Sequence, residues 1–172
     1  FNRVHEIKNR RPHDPVKVGV LGCMATNFRR KLLENPALKI DLIAGPDSYK
    51  HLPKLIEDLY ETGEKQFHVT LSEFETYEDV YPTRQSGVNA WISIMRGCNN
   101  YCTFCVVPHT RGRERSRSPE GIVAEVTRLV SEGFKQVTLL GQNVNSYQHE
   151  DVDFTELMHR VSDVPGIERI RF

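Results

Sequence analysis

The sequence predicts an α/β protein in two modules, each built on parallel strands. Short apolar runs at 17–21 and 40–44 are separated by a segment of helical length, and the same alternation of strand and helix resumes at residue 88. Consecutive parallel strands need a crossover between them, which is usually a helix. With 172 residues and 38% hydrophobic side chains, the chain can bury a core, so wholesale disorder is excluded.

The first module is predicted to span residues 1–63 and to contain a parallel sheet. Its predicted elements, in chain order, are a strand at 17–21, a helix at 28–34, a strand at 40–44 and a helix from about 52 onward. Asn27 is a favourable N-cap for the first helix, and Gly63 is a favourable stop for the second. Residues 64–83 are polar and acidic, and we expect a linker there with one short strand at about 66–69.

The second module is predicted to span residues 84–172 and to repeat a strand, a loop and a helix. Its predicted elements are a strand at 89–95, a long loop at 96–117, a helix from Pro119 to Gly133, a strand at 136–140, a loop at 141–152, a helix from about 154 and a strand at 167–172. Ser118 is a favourable N-cap, and Asp153 with Glu156 forms a capping box. This spacing is typical of an α/β barrel or an open parallel sheet.

The two ends of the chain predict a fragment of a longer protein. The first residue is Phe1 instead of a methionine, and the last predicted strand, 167–172, runs to the end of the chain. The N-terminus has no apolar stretch typical of a secretory signal, and no segment reaches the ~20 apolar residues of a membrane-spanning helix. We therefore expect a soluble, cytoplasmic protein with no membrane partner.

Charge is balanced overall but uneven along the chain. The 23 basic and 23 acidic residues cancel, yet residues 81–118 hold six arginines and a single acidic residue, Glu114. Four of these arginines, at 111, 113, 115 and 117, fall in one segment. Clustered basic side chains attract phosphates, although many such runs are simply solvated surface.

Three of the four cysteines form one cluster. Cys98, Cys102 and Cys105 follow a predicted strand with the spacing C-x₃-C-x₂-C, at the edge where parallel α/β folds carry their chemistry. Three thiolates on one loop suit an iron–sulfur cluster with one iron left open. The alternatives are a zinc site with His109 as a fourth ligand, and three unrelated buried thiols.

Longer stretches of the sequence carry a family resemblance. The pattern C-x₃-C-x-aromatic-C after the first strand of a β/α unit resembles the radical S-adenosylmethionine superfamily. The segments SIMRGCNNYCTFCVVPHTRGRERSR, LLGQNVNSY and GCMA together resemble the methylthiotransferase family within it. The branch that acts on isopentenyl-adenosine in tRNA is the most similar. The resemblance implies that residues 84–172 are the first half of a radical-enzyme partial barrel, and that residues 1–63 belong to a domain that holds an auxiliary cluster.

The resemblance also implies roles for the loop residues. Cys98, Cys102 and Cys105 would hold a 4Fe–4S cluster whose open iron binds S-adenosylmethionine, which is then cleaved to a 5′-deoxyadenosyl radical. Phe104 would lie beside the adenine, and its alternative role is that of an ordinary core aromatic. Gln142 and Asn143 would lie near this cofactor, and their alternative role is to form a turn.

Cys23 resembles the last of three cysteines that hold a second, auxiliary 4Fe–4S cluster, the implied sulfur donor. The other two cysteines of that set are absent from this sequence. Alone, Cys23 cannot hold a cluster, so in this chain we expect a free thiol at a strand end. We also expect the fragment alone to be inactive.

Arg111, Arg113, Arg115 and Arg117 suit an RNA substrate, because arginine forms bidentate bonds to phosphate and stacks on bases. The alternative is a set of ion pairs that fix the loop. We expect some of these four arginines to fix the loop and the others to bind RNA.

The implied activity is the addition of a methylthio group to N6-isopentenyladenosine next to the anticodon of tRNA. One S-adenosylmethionine would supply the methyl group and a second the radical, in a monomer reduced by a donor such as flavodoxin or ferredoxin. The alternatives within the family are threonylcarbamoyladenosine in tRNA and a ribosomal-protein aspartate as substrates. The alternative of another class is a zinc-stabilised RNA-binding module without catalysis.

Overall fold

The computed structural model describes residues 2–10, 16–84 and 86–172, and within them the chain has a mixed α/β architecture. It divides into two compact units. We call the chain up to Ser72 together with Cys102–Arg111 the N-terminal unit, and Glu73–Tyr101 together with Gly112–Phe172 the C-terminal unit. The predicted domains 1–63 and 84–172 include residues 1, 11–15 and 85, which lie outside the described residues, and these domain limits stay a prediction.

The N-terminal unit is built on a three-stranded parallel sheet with the order β1-β2-β3. Its strands are β1 (Gly19–Leu21), β2 (Leu42–Ala44) and β3 (Gln66–His68). β3 is the short strand that the sequence predicted at 66–69, and it adds to the sheet edge beside β2. The core beneath the sheet consists of small and branched apolar residues: Ala25, Leu32, Leu38, Ile40 and Ile43.

Among its described residues the N-terminal unit has five α-helices: α1 (Asn2–Arg10), α2 (Cys23–Phe28), α3 (Arg30–Glu34), α4 (Leu52–Thr62) and α5 (Val107–Arg111). The prediction of one helix over 28–34 capped by Asn27 is wrong. The helical segment begins five residues earlier, at Cys23, and it is interrupted at Arg29, whose φ of 49° places it in the left-handed region. α4 ends as predicted, with Gly63 at a φ of 72°.

No element was predicted for α1, whose sequence is mostly polar and charged. In the structure none of its residues is fully buried, although Val4 packs against the core of the N-terminal unit. The helix is tied to the sheet by Lys8, whose Nζ donates to Asp41 Oδ2 and to the Val16 carbonyl, both at 2.8 Å. Burial acts to raise the pKa of Asp41, but the hydrogen bonds from Lys8 and from the Val18 N–H outweigh it and lower that pKa.

The C-terminal unit is built on a second parallel sheet with the order β10-β7-β4. Its strands are β4 (Asn89–Ser93), β7 (Gln136–Leu140) and β10 (Arg169–Arg171), and its helices are α6 (Pro119–Ser131) and α7 (Phe154–Ser162). Both predicted caps are present, since Ser118 Oγ accepts from the Gly121 N–H at 3.1 Å and Asp153 Oδ1 accepts from the Glu156 N–H at 2.8 Å. The larger apolar core of the chain lies here, between sheet and helices.

Two predicted loops of the C-terminal unit contain short strands. The predicted strand at 89–95 is divided, because β5 (Met95–Arg96) leaves the parallel sheet and pairs antiparallel with β6 (Arg115–Ser116). The predicted loop 96–117 therefore has an ordered stem. Likewise, β8 (Gln148–His149) and β9 (Val152–Asp153) form a small antiparallel pair inside the predicted loop 141–152.

Within the part of the chain that the structure describes, no helix is long and apolar enough to cross a membrane.

Candidate functional site around the cysteine loop

The three clustered cysteines are free thiols in different environments. Cys98 follows β5 and is buried, with 8% of its surface exposed, whereas Cys102 is exposed and Cys105 is half-buried. Cys98 belongs to the C-terminal unit, and Cys102 and Cys105 belong to the segment grouped with the N-terminal unit. Across residues 2–10, 16–84 and 86–172, no three cysteine, histidine or acidic side chains are gathered in a metal-binding arrangement. The ligand assignment therefore stays a prediction.

The peptide before Cys98 is held closely by its neighbours in the C-terminal unit. Gly97 has a φ of +78°, and a Cβ added there would lie 2.0 Å from the Arg113 carbonyl oxygen. Its N–H donates to Gln142 Oε1 at 2.6 Å, and the N–H of Cys98 donates to the Gly112 carbonyl at 3.3 Å. Only glycine fits this position. Its importance was not predicted, although a glycine directly before the first cysteine is visible in the sequence.

Glu114, the single acidic residue among the arginines, links two loops of the same unit. Its N–H donates to Asn99 Oδ1 at 3.1 Å, and its Oε1 accepts from Ser146 Oγ at 2.7 Å. Ser146 ends a short 3₁₀ turn, Val144–Ser146. No role was predicted for Glu114 or Ser146, because local spacing does not indicate a contact between residues 32 positions apart.

Phe104 is 93% exposed, so the alternative that it is an ordinary core aromatic is wrong. Gln142 is exposed as well, and its side-chain oxygen is engaged by Gly97. The Asn143 carbonyl accepts from the N–H of Ser146 at 3.0 Å, so the backbone of Asn143 does form the turn that its alternative role required. Whether these side chains also contact a cofactor stays a prediction.

The four arginines of the basic segment differ in exposure. Arg113 is exposed, whereas Arg115 and Arg117 are buried. Arg117 Nη1 donates to Glu125 Oε2 at 2.7 Å and to the Ser93 carbonyl at 2.9 Å, which favours the ion-pairing role for this residue.

Arg111, the last residue of α5, is half-buried in the N-terminal unit. Its Nε donates to Cys23 Sγ at 3.0 Å. Cys23 itself opens α2, directly after Gly22, and is a half-buried free thiol.

Comparison with known proteins identifies the family. A model of the radical SAM superfamily matches residues 92–172, which include the three clustered cysteines. The chain is 51% identical over 176 residues to the tRNA-2-methylthio-N(6)-dimethylallyladenosine synthase of Bacteroides fragilis, covering 98% of this chain. It is 50% identical over 174 residues to the protein of the same name from Chloroherpeton thalassium, and 45% identical over 189 residues to that of Amoebophilus asiaticus. The chain belongs to the methylthiotransferase family of radical S-adenosylmethionine enzymes. This confirms the resemblance in the three sequence segments.

The chain spans a little over a third of these methylthiotransferases, 37% of the Bacteroides protein and 38% of the other two.

The donor set of this methylthiotransferase chain fits the family's cofactor chemically. Cysteine thiolate is the usual ligand of iron–sulfur clusters, and Cys98, Cys102 and Cys105 are free thiols within eight positions of each other. Three ligands leave one iron of a 4Fe–4S cluster open. Cys23 is a single free thiol, so an auxiliary cluster needs cysteines that this chain does not contain.

Proposed function

We propose that the whole protein is a radical S-adenosylmethionine methylthiotransferase that adds a methylthio group to N6-isopentenyladenosine next to the anticodon of tRNA. The observation that carries this proposal is the C-x₃-C-x₂-C loop of free thiols, placed at the end of the β4–β5 strands inside the segment that matches the radical SAM superfamily. This substrate is supported by relatives that are named for it and are 45–51% identical to nearly the whole chain.

In this proposal Cys98, Cys102 and Cys105 hold the 4Fe–4S cluster. When bound, that cluster supplies the electron that cleaves S-adenosylmethionine. Phe104 has the exposure that a contact with the adenine ring requires, since 93% of its surface is open. Asn143 and the amide nitrogen of Gln142 are the polar side-chain groups at the end of β7 that can bind the cofactor.

Arg113 is the best candidate among the four arginines for an RNA contact. Its side chain is exposed, and it follows Gly112 at the base of the cysteine loop. Arginine can grip a phosphate through two parallel hydrogen bonds. Arg111, Arg115 and Arg117 are less accessible, so we assign them to fixing the loop before any contact with tRNA.

Cys23 is proposed as one ligand of the auxiliary 4Fe–4S cluster that donates sulfur, together with cysteines elsewhere in the whole protein. We also propose that the whole protein is a monomer in the cytoplasm and that an electron donor such as flavodoxin or ferredoxin reduces it. Residues 84–172 form the first half of a partial barrel, residues 1–63 belong to the auxiliary-cluster domain, and 64–83 link them.

Nucleoside analysis of tRNA tests this function. A strain that lacks the gene should lose the methylthio form of isopentenyl-adenosine and accumulate the unmodified form. The wild-type gene should restore it, and a gene carrying Cys102→Ala should not, although its product is made in equal amount. An unchanged nucleoside profile in the deletion strain would overturn the proposal.

The same strain separates the alternatives. If threonylcarbamoyladenosine or a ribosomal-protein aspartate is the substrate, that product loses its methylthio group and the isopentenyl-adenosine product is retained. If the protein is a zinc-stabilised RNA-binding module, the purified protein contains zinc without acid-labile sulfide, and no methylthio product is lost.

A further inference from the structure

The loop that follows β7 touches both stems of the cysteine loop. Gln142 Oε1 accepts from the N–H of Gly97, which directly precedes Cys98. Ser146 Oγ donates to Glu114 Oε1, on the stem that returns from the loop into β6. The two contacts come from residues four positions apart on one short loop, and all of these residues lie in the C-terminal unit.

The two stems are also joined to each other at the same level. The Cys98 N–H donates to the Gly112 carbonyl, and Asn99 Oδ1 accepts from the Glu114 N–H. A Cβ at Gly97 would lie 2.0 Å from the Arg113 carbonyl oxygen, so the stems approach as closely as backbone atoms allow. The position of the Cys98 peptide is thus fixed from two sides, by the returning stem and by the loop after β7.

We propose that Gln142 and Ser146 are positioning residues that clamp the Cys98 end of the cysteine loop in the geometry needed to hold an iron–sulfur cluster. Gln142 acts through its carbonyl oxygen, which fixes the peptide between Gly97 and Cys98. Ser146 acts through Glu114 on the opposite stem. This role rests on the proposed function, because it requires a cluster on Cys98, Cys102 and Cys105.

The clamp assigns separate tasks to the two ends of the Gln142 amide. The oxygen is used within the protein at 2.6 Å from the Gly97 nitrogen, which leaves the amide nitrogen available to a bound cofactor. Removing a group that orients a metal ligand in this way typically lowers the affinity for the metal by about 10- to 100-fold. The effect should therefore appear in cluster retention, even where no substrate is present.

The test uses the whole protein in a Cys23→Ala background, reconstituted with iron and sulfide so that only the cluster on the cysteine loop remains. Three variants are compared: Gln142→Met removes the acceptor at similar length, Gln142→Glu keeps a side-chain oxygen, and Ser146→Ala removes the donor to Glu114. Asn145→Ala is the matched control, because Asn145 is an exposed residue of the same loop. The measured quantity is the rate at which a ferrous chelator bleaches the cluster.

The clamp predicts that Gln142→Met loses its cluster about tenfold faster than the parent protein, and that Ser146→Ala shows a smaller acceleration. Gln142→Glu and Asn145→Ala should lose their clusters at nearly the rate of the parent protein. Equal thermal unfolding of the cluster-free variants would show that the change does not arise from general destabilisation. If Gln142→Met keeps its cluster as long as Asn145→Ala does, or if Gln142→Glu loses it as fast as Gln142→Met, the clamp is overturned.

Two further measurements distinguish failure of the clamp from failure of the proposed function. If Cys98→Ala, Cys102→Ala and Cys105→Ala bind as much iron as the parent protein, the proposed cluster site is wrong and the clamp falls with it. If the cluster needs these cysteines but Gln142→Met loses only affinity for S-adenosylmethionine and keeps normal cluster lifetime, Gln142 is a cofactor contact alone. The clamp is then overturned while the proposed function stands.

Discussion

At the scale of single residues, Gly97 is the position where backbone conformation limits the sequence most strongly. Its φ of +78° disfavours any other residue, and the Arg113 carbonyl oxygen fills the space of a side chain, 2.0 Å from an added Cβ. We expect Gly97→Ala to lower the free energy of unfolding by about 3 kcal/mol, combining left-handed strain with a steric clash against backbone. Urea denaturation of the chain measures this change.

Gly133→Ala is the matched control for that substitution. Gly133 also has a positive φ, +96°, but an added Cβ would meet nothing within 4 Å. Gly133→Ala should therefore lower the free energy of unfolding only through backbone strain, by about 1 kcal/mol. If both variants lost the same free energy of unfolding, the steric clash at Gly97 would be contradicted.

Tyr147 illustrates a residue whose polar end matters as much as its ring. The side chain is 2% exposed, and its hydroxyl donates to the Arg117 carbonyl at 2.7 Å. Burial, with a smaller contribution from Glu120 and Glu78, raises the pKa of this phenol far above its usual range, so it stays a donor at every accessible pH. Tyr147→Phe should cost about 1–2 kcal/mol in thermal unfolding, whereas Tyr60→Phe, at an exposed ring, should change nothing measurable.

At the scale of elements, features that depend on neighbouring residues could be predicted from the sequence, whereas contacts between residues far apart in the chain could not. The caps at Ser118 and Asp153 were predicted because a cap bonds within three residues of itself. The break between α2 and α3 was missed, because an arginine at positive φ has no sequence signature. The contact of Gln142 with Gly97 spans 45 residues, so no spacing rule could have found it.

α6 is fixed to two other segments of the C-terminal unit by one carboxylate. Glu125 accepts from Arg84 Nη2 at 2.5 Å and from Arg117 Nη1 at 2.7 Å, and all three side chains are largely buried. Removing one partner of a buried ion pair leaves charges without compensation, which typically costs about 3–5 kcal/mol. We expect Glu125→Gln to lower the free energy of unfolding by an amount in this range, measured by urea denaturation.

Glu120→Gln provides the comparison on the same helix. Glu120 pairs with Arg160 of α7 at 3.1 Å, but its side chain is 75% exposed, so solvent screens the pair. The unfolding midpoint of this variant should match that of the original chain. If Glu125→Gln behaved in the same way, the buried pair would not be holding α6 in place.

At the scale of the whole molecule, the two units have separate cores, and the core of the N-terminal unit is the smaller one. Stability can therefore respond to pH in one unit and not in the other. His68, at the end of β3, lies in the N-terminal unit with its Nδ1 2.8 Å from Ser48 Oγ and its ring 4.6 Å from that of His51. Burial lowers the pKa of His68, and repulsion from His51 lowers it further.

Proton uptake by His68 determines whether acid raises or lowers the free energy of unfolding. Above the ordinary histidine pKa of 6.5, His68 is neutral in both the folded and the unfolded chain, and it contributes no pH dependence. As the pH falls through that value, the unfolded chain takes up a proton that the folded chain resists, so the free energy of unfolding decreases until the lowered folded pKa is passed. We expect the hydrogen-exchange protection factors of peptides covering β2 and β3 to decrease as the pH falls below about 6.5, because measured exchange then slows less than the intrinsic rate does.

Two comparisons make this prediction specific to His68. In His68→Gln this loss of protection at low pH should be smaller, because the titrating group is gone. The fluorescence of Trp91, the single tryptophan and a residue of the C-terminal unit, should report an unfolding midpoint that does not depend on this substitution. An unchanged acid response in His68→Gln, or a response equally strong at Trp91, would assign the pH dependence to other groups.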